Sequence, residues 1–79
     1  MKVDEHNILV EKAKSKKDGV YSYRGYLYVV KNNNFKAFAS PYGILYAVIG
    51  SFTTQIGFCQ RHDSRTKLLQ YLNRIKKMT

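Results

Sequence analysis

Residues 20–30 read Val-Tyr-Ser-Tyr-Arg-Gly-Tyr-Leu-Tyr-Val-Val, and this stretch decides the fold class because β-branched and aromatic residues dominate it. Tyr26, Tyr28 and Val30 recur at every second position, which is the period of a strand that shows alternate residues to opposite faces. Gly25 interrupts the run. The stretch therefore predicts either one long bent strand or two short strands with a bulge.

Two turn signals follow, and each begins a further strand. Residues 31–34, Lys-Asn-Asn-Asn, tolerate the left-handed backbone of a hairpin turn, and residues 35–40 then alternate again. A second turn is predicted at residues 41–43, Pro-Tyr-Gly, before the continuously apolar residues 44–49 form a buried strand. Residues 51–62 show no clear period, and we expect a packed loop or an edge strand there.

Helices are predicted at both ends of the chain. Asp4 is a suitable cap for an N-terminal helix over residues 5–16, and Asp63 or Ser64 caps a C-terminal helix over residues 65–77. The apolar face of the C-terminal helix consists of Leu68, Leu69, Leu72 and Ile75. The sequence thus predicts an α+β fold in which a three-stranded antiparallel sheet lies between an N-terminal and a C-terminal helix, in the order α-β-β-β-α.

The length of the chain limits it to one hydrophobic core. A chain of 79 residues buries only about 60% of its unfolded surface, so we expect residues 1–79 to form a single small basic domain. Cys59 is the only cysteine, and charged residues interrupt the first ten positions, so we expect a cytoplasmic protein without a signal peptide. Residues 37–60 carry no charge, but their glycines and polar residues favour buried strands over a membrane span.

The charge of the chain indicates a polyanionic partner. Lys and Arg number 14 against 5 Asp and Glu, giving a net charge of +9, and Asp63 is the only acid after Gly19. Such an imbalance attracts nucleic acid, RNA or DNA, whose phosphates a basic C-terminal helix can contact, although the same cations also keep a small domain soluble. The cations predicted to bind nucleic acid are Arg24, Lys31, Lys36, Arg61, Arg65, Lys67, Arg74 and Lys77.

The aromatic residues give a second indication of the partner. The chain has seven Tyr, four Phe and no Trp. Tyr23 and Tyr26 flank Arg24, and rings beside an arginine are typical of proteins that stack on unpaired bases, which favours RNA slightly over DNA. The alternative is structural, because a domain without Trp needs its tyrosines for the core.

No catalytic or metal site is predicted. Cys59, His62 and Asp63 are neighbours in sequence, but this does not bring a thiol, an imidazole and a carboxylate into mutual contact. A zinc site needs four suitable ligands, and the chain has one Cys and two His. We therefore expect no enzyme activity and no cofactor.

Two alternatives for the partner remain open. A small basic protein of the kind that phages and mobile elements encode can bind and inhibit a host protein, including an enzyme that acts on nucleic acid, by combining charge with apolar anchors. Separately, the uncharged residues 37–60 can present strand edges to a second copy, so a homodimer is a further expectation. No membrane partner is expected.

Overall fold

Five strands and two α-helices form the computed structural model, which describes residues 2–77. In chain order they are α1 (Val3–Ala13), β1 (Gly19–Tyr23), β2 (Tyr26–Lys31), β3 (Asn34–Ala39), β4 (Ile44–Ile49), β5 (Phe52–Phe58) and α2 (Ser64–Lys77), with a short 3₁₀ helix at Arg61–Asp63. Each strand pairs antiparallel with the next, so the order across the sheet is β1-β2-β3-β4-β5 and the two edges are β1 and β5.

The prediction of a three-stranded sheet is wrong, because the described residues form five strands. Residues 20–30 are divided by a tight turn at Arg24 and Gly25, which have φ of 46° and 84° and therefore a left-handed backbone. Of the two readings of this run, the two short strands are therefore the correct one, but a hairpin turn and not a bulge joins β1 to β2. The fifth strand, β5, lies within the stretch that was predicted as a loop or an edge strand, and it is an edge strand.

The hairpin turn predicted at residues 31–34 is confirmed. Asn32 and Asn33 have φ of 53° and 62°, which asparagine tolerates better than most residues. The Asn32 backbone N–H donates to the Asp18 carboxylate at 2.9 Å, and the Asn33 amide donates to the Lys16 carbonyl at 2.8 Å. These bonds tie the tip of the β2–β3 hairpin to the loop that follows α1.

The two helices cover opposite faces of the sheet. Alternate residues of β2 point to opposite sides, so Tyr28 packs with Leu9 and Ala13 of α1, whereas Val29 packs with Leu68 and Leu72 of α2. On the side of α1 the core also contains Val30, Phe35, Phe38 and Val48, and on the side of α2 it contains Ala37 and Ala39. The domain therefore has three layers, helix on sheet on helix.

Both predicted helices are confirmed, with small changes at their ends. Helix α1 begins earlier than the predicted Asp4 cap, has Lys2 at its N-cap without a side-chain hydrogen bond, and ends at Ala13. Helix α2 buries Leu68 and Leu72, but Leu69 is 42% exposed although it was predicted on the apolar face. Within residues 2–77, neither helix is long and apolar enough to cross a membrane.

On the face of α2, the helices leave the half of the sheet formed by β4 and β5 largely uncovered. Helix α2 packs mainly on β2, with further contacts to β1 and β3, and α1 packs mainly on β3. As a result, large apolar side chains of β4 and β5 are exposed: Ile49 at 64%, Phe52 at 76%, Ile56 at 45% and Phe58 at 79%. This open half of the sheet positions the candidate site.

Candidate nucleic-acid interface

A groove runs between α2 and the uncovered half of the sheet. One part of it, about 220 Å³, is lined by Lys67, Tyr71 and Arg74 of α2 and by Leu45 and Ile56 of the sheet. Tyr71 also lines a neighbouring cavity of about 440 Å³, and we call the two cavities on either side of it the α2–β5 groove. Further residues of the second cavity are Lys31, Asn32, Lys36, Val48, Ile49, Gly50 and Ile75.

The spacing of residues along α2 explains why its cations line this groove. Lys67, Tyr71 and Arg74 are separated by four and three positions, so they form one row along the helix. Because Leu68 and Leu72 hold α2 against β2, this row points towards β4 and β5. A rise of about 1.5 Å per residue places Lys67 and Arg74 about 10 Å apart along the helix axis.

Two lysines at the end of the β2–β3 hairpin extend the basic lining. Lys31 follows Val29 by two positions, so it shares the face of the sheet that α2 covers, and it is only 7% exposed. Lys36 is the extra residue of a bulge, since Phe35 pairs with Val30 and Ala37 with Val29. The groove therefore has cations along its α2 wall and at one end.

An exposed ring lies beside the groove. Phe52 pairs with Ile49 across the β4–β5 hairpin, so both side chains lie on the α2 face of the sheet, where Ile49 lines the groove. Neither Phe52 nor Tyr71 was predicted as a binding residue. The four-residue spacing of Tyr71 from Lys67 was the signal that could have found Tyr71, whereas nothing local distinguishes Phe52 from a core residue.

The tyrosines predicted to stack on bases lie on the opposite face. Tyr23 and Tyr26 pack against the core on the α1 side, and the Tyr26 ring meets Phe38 edge-on at 6.1 Å. The Tyr23 ring is close to two cations, with the Lys12 ammonium at 5.3 Å and the Arg24 guanidinium at 5.7 Å from its centroid. The structure therefore does not bring these rings together with the cations of the groove.

The other predicted cations are distributed around the domain. Arg65 donates to the Val20 carbonyl at 3.2 Å, at the β1 side of α2. Lys77 is exposed on the last turn of α2, Arg61 is exposed on the 3₁₀ helix, and Arg24 lies in the β1–β2 turn. Of the predicted set, the groove brings together Lys31, Lys36, Lys67 and Arg74.

A second basic region, which the sequence analysis did not select, surrounds the end of α1. Lys16 lies 4.9 Å from the centroid of the Tyr21 ring, and Lys12 lies over Tyr23. Lys14 forms an exposed ion pair with Glu11 at 2.9 Å. These lysines lie before Gly19, outside the acid-poor part of the chain that supplied the predicted cations.

Burial raises the pKa of Tyr28 above its usual value of 10.0, and the neighbouring Tyr21 raises it further. Burial also raises the pKa of Tyr26, and the negative charge of Glu5 raises it further. Both hydroxyl groups therefore remain neutral at physiological pH. They cannot supply an anionic base on the α1 face.

Because of Tyr28, the folded chain is expected to lose stability at alkaline pH. In the unfolded chain Tyr28 ionises near its ordinary pKa, whereas the folded chain keeps the proton to higher pH. Its contribution is therefore complete below about pH 10 and is lost as the pH rises through the folded pKa. Urea unfolding at about pH 8 and about pH 11 should show a smaller loss in Tyr28→Phe than in the unsubstituted chain. An equal loss in both proteins would contradict the assignment.

The sulfur of Cys59 contacts residues other than His62 and Asp63, the two neighbours in sequence that were considered as its catalytic partners. Its Sγ lies 3.8 Å from the Gly43 carbonyl and 3.7 Å from the Ser64 hydroxyl, while the exposed His62 lies 3.5 Å from the Asp63 carboxylate. Among residues 2–77, no group of three or more His, Cys, Asp or Glu side chains could hold a metal ion.

Comparisons with known protein families, with characterised proteins and with solved structures found no match to this chain.

Proposed function

We propose that this chain binds single-stranded nucleic acid in the α2–β5 groove, with RNA slightly favoured over DNA, and that it does so without catalysis. The observation that carries the proposal is the row of Lys67, Tyr71 and Arg74, which lies beside the exposed apolar half of the sheet. Cations along such a groove attract phosphates, and rings at its border accept bases. We place this activity in the cytoplasm, where a lone Cys59 stays reduced.

The exposed aromatic ring favours single strands over duplexes. Phe52 is 76% exposed and lies beside a groove with an apolar floor of Leu45, Ile49 and Ile56. A base that is not already stacked in a duplex can place its face on such a ring, which contributes about 1–3 kcal/mol per base. The phosphates on either side of that base would then lie near Lys67, Arg74 or the lysines of the β2–β3 hairpin.

Neutralising the groove cations tests the proposal. Lys67→Gln combined with Arg74→Gln should weaken binding of a labelled oligouridine RNA by about tenfold or more, because two phosphate contacts are lost. The slope of log affinity against log salt should become shallower by about 1.4, at about 0.7 per phosphate of a single strand. Fluorescence anisotropy at two salt concentrations measures both quantities.

The matched control removes two charges from the other side of the domain. Lys14 and Lys17 are exposed near the end of α1, and Lys14→Gln with Lys17→Gln changes the net charge by the same amount. We expect a clearly smaller loss of affinity in this control. Equal losses would indicate non-specific attraction instead of a groove. The proposal fails if neither RNA nor DNA, single- or double-stranded, is retained in a gel shift at low salt.

A second candidate function is binding to an acidic host protein, as small phage-type inhibitors do. Two exposed rings favour this function, because Tyr42 is 86% exposed and Phe58 is 79% exposed. The two rings belong to neighbouring parts of the sheet, since Phe58 pairs with Ile44, which follows Tyr42 by two positions. Exposed aromatic residues are common anchors in protein interfaces. This function predicts that Tyr42→Ala and Phe58→Ala reduce partner binding more than the loss of any single cation, with weak dependence on salt.

A further inference from the structure

The outer edge of β5 lacks the protection that natural sheets usually give their edges. The strand Phe52–Phe58 contains neither a charged residue nor a proline, and its bulge at Ile56 is the one device that interrupts it. The opposite edge differs. At β1, the Arg65 guanidinium donates a hydrogen bond to the Val20 carbonyl at 3.2 Å. The β5 edge is therefore the side at which this sheet can be extended.

We infer that a second copy of this chain pairs with β5 in antiparallel orientation, about a two-fold axis at Thr54, and joins the two sheets. In this register Thr54 faces Thr54 of the second copy, and Phe52 faces Ile56 of the second copy. The three side chains point to the same face. Phe52 and Thr54 pair with Ile49 and Ala47 of β4, and Ile56 lines the α2–β5 groove.

The distribution of charge selects a second copy as the occupant of this edge. A chain with a net charge of +9 repels its own copies wherever cations are exposed, but residues 37–60 carry no charge and include all of β4 and β5. An acidic protein would find no cation on β5 to pair with. The self-paired register instead places apolar side chains opposite apolar ones and a hydroxyl opposite a hydroxyl, which stabilises cross-strand pairs.

Pairing at β5 would also complete the groove, a step that rests on the proposed function. The uncovered strands β4 and β5 of both copies would form one floor between two α2 helices, with Lys67 and Arg74 on each wall. Since α2 packs mainly on β2, the two helix axes would lie about 34 Å apart at about 4.8 Å per strand. This exceeds the Debye length of about 8 Å, so the two basic walls repel each other only weakly.

Sedimentation velocity of the full chain without nucleic acid tests the dimer independently of the proposed function. We expect a monomer–dimer equilibrium between micromolar and near-millimolar concentrations. Thr54→Lys should raise the dimer dissociation constant by about tenfold or more, because two ammonium groups would face each other across the axis. Thr66→Lys adds the same charge on the exposed side of α2 and should leave the constant unchanged. A monomer at every concentration, or equal effects of both substitutions, would overturn the inference.

Cross-linking tests the register in a Cys59→Ser background. Cysteines that replace Thr54 should form a disulfide dimer readily under mild oxidation by oxidised glutathione, because residues directly opposite on antiparallel strands have Cβ atoms about 5 Å apart. Cysteines that replace Thr53 should react far more slowly, since Thr53 lies opposite Gln55 of the second copy on the other face. Equal rates at the two positions would contradict this register.

A monomeric Thr54→Lys variant that still binds RNA would leave the proposed function standing, and it would show that binding does not depend on the dimer.

Discussion

Gly43→Ala is expected to lower the free energy of unfolding by about 3 kcal/mol or more, through strain in the left-handed region and a steric overlap. Gly43 has φ of +91°, and a Cβ atom there would lie 2.2 Å from the Cys59 carbonyl oxygen. That oxygen belongs to backbone, so it cannot rotate away as a flexible side chain would. The loss is large for 79 residues, whose total stability is on the order of 4–12 kcal/mol.

The overlap also affects the connection between the sheet and α2. The Cys59 backbone N–H donates to the Gly43 carbonyl at 3.0 Å, so the two residues hold the end of β5 against the start of β4. A shift that moves the Cys59 carbonyl away from the added methyl group of Gly43→Ala is therefore expected to disturb this bond. Urea unfolding followed by circular dichroism measures the change, and we expect a lower midpoint with an unchanged slope.

Gly50→Ala is the matched control for Gly43→Ala. Gly50 also has positive φ, at +62°, but a Cβ atom there would have nothing within 4 Å. This substitution should therefore cost only the left-handed penalty, about 1 kcal/mol. Losses of equal size at the two glycines would show that backbone conformation, and not the contact with Cys59, determines the effect.

The sequence predicted β2, β3 and both helices because each has the period of a buried face, and it predicted β4 because residues 44–49 are continuously apolar. It did not reveal the β1–β2 turn, because Arg24-Gly25 is not one of the residue pairs that usually mark a two-residue hairpin turn and aromatic residues lie on both sides of it. Strand β5 was hard to recognise for a different reason. Thr53, Thr54 and Gln55 are exposed, so no alternation between apolar and polar residues marks the strand.

The candidate site was only partly predictable for a similar reason. Lys67 and Arg74 could be identified from the basic face of α2, and the structure places both in the groove. Which flank of α2 stays open depends on its packing over β2 and the adjoining strands, which involves residues distant in sequence. The sequence could not indicate that Tyr23 and Tyr26 face α1 while Phe52 lies on the face of the sheet that α2 covers.

Phe38→Ala is expected to cost about 3–5 kcal/mol of unfolding free energy, because it removes a buried ring and leaves a cavity. Phe38 is 2% exposed, and its ring stacks on Tyr46 with centroids 4.8 Å apart and an angle of 17°. Tyr26 and Phe35 contact the same ring. Because this loss approaches the total stability, Phe38→Leu should be measured as well, with a smaller loss in the same direction.

Phe52→Ala removes from β5 the same side-chain atoms that Phe38→Ala removes from β3. It should change the unfolding free energy by no more than about 0.5 kcal/mol. The ring is 76% exposed, so its truncation returns little apolar surface to water on unfolding. Urea unfolding at a protein concentration low enough to keep the chain monomeric compares the two alanine variants directly. A loss at Phe52 close to that at Phe38 would mean that β5 is packed within the monomer, and an open α2–β5 groove could then not exist. A small loss at Phe52 leaves its ring available to a base or to Ile56 of a second copy, and the binding and sedimentation measurements distinguish these two uses.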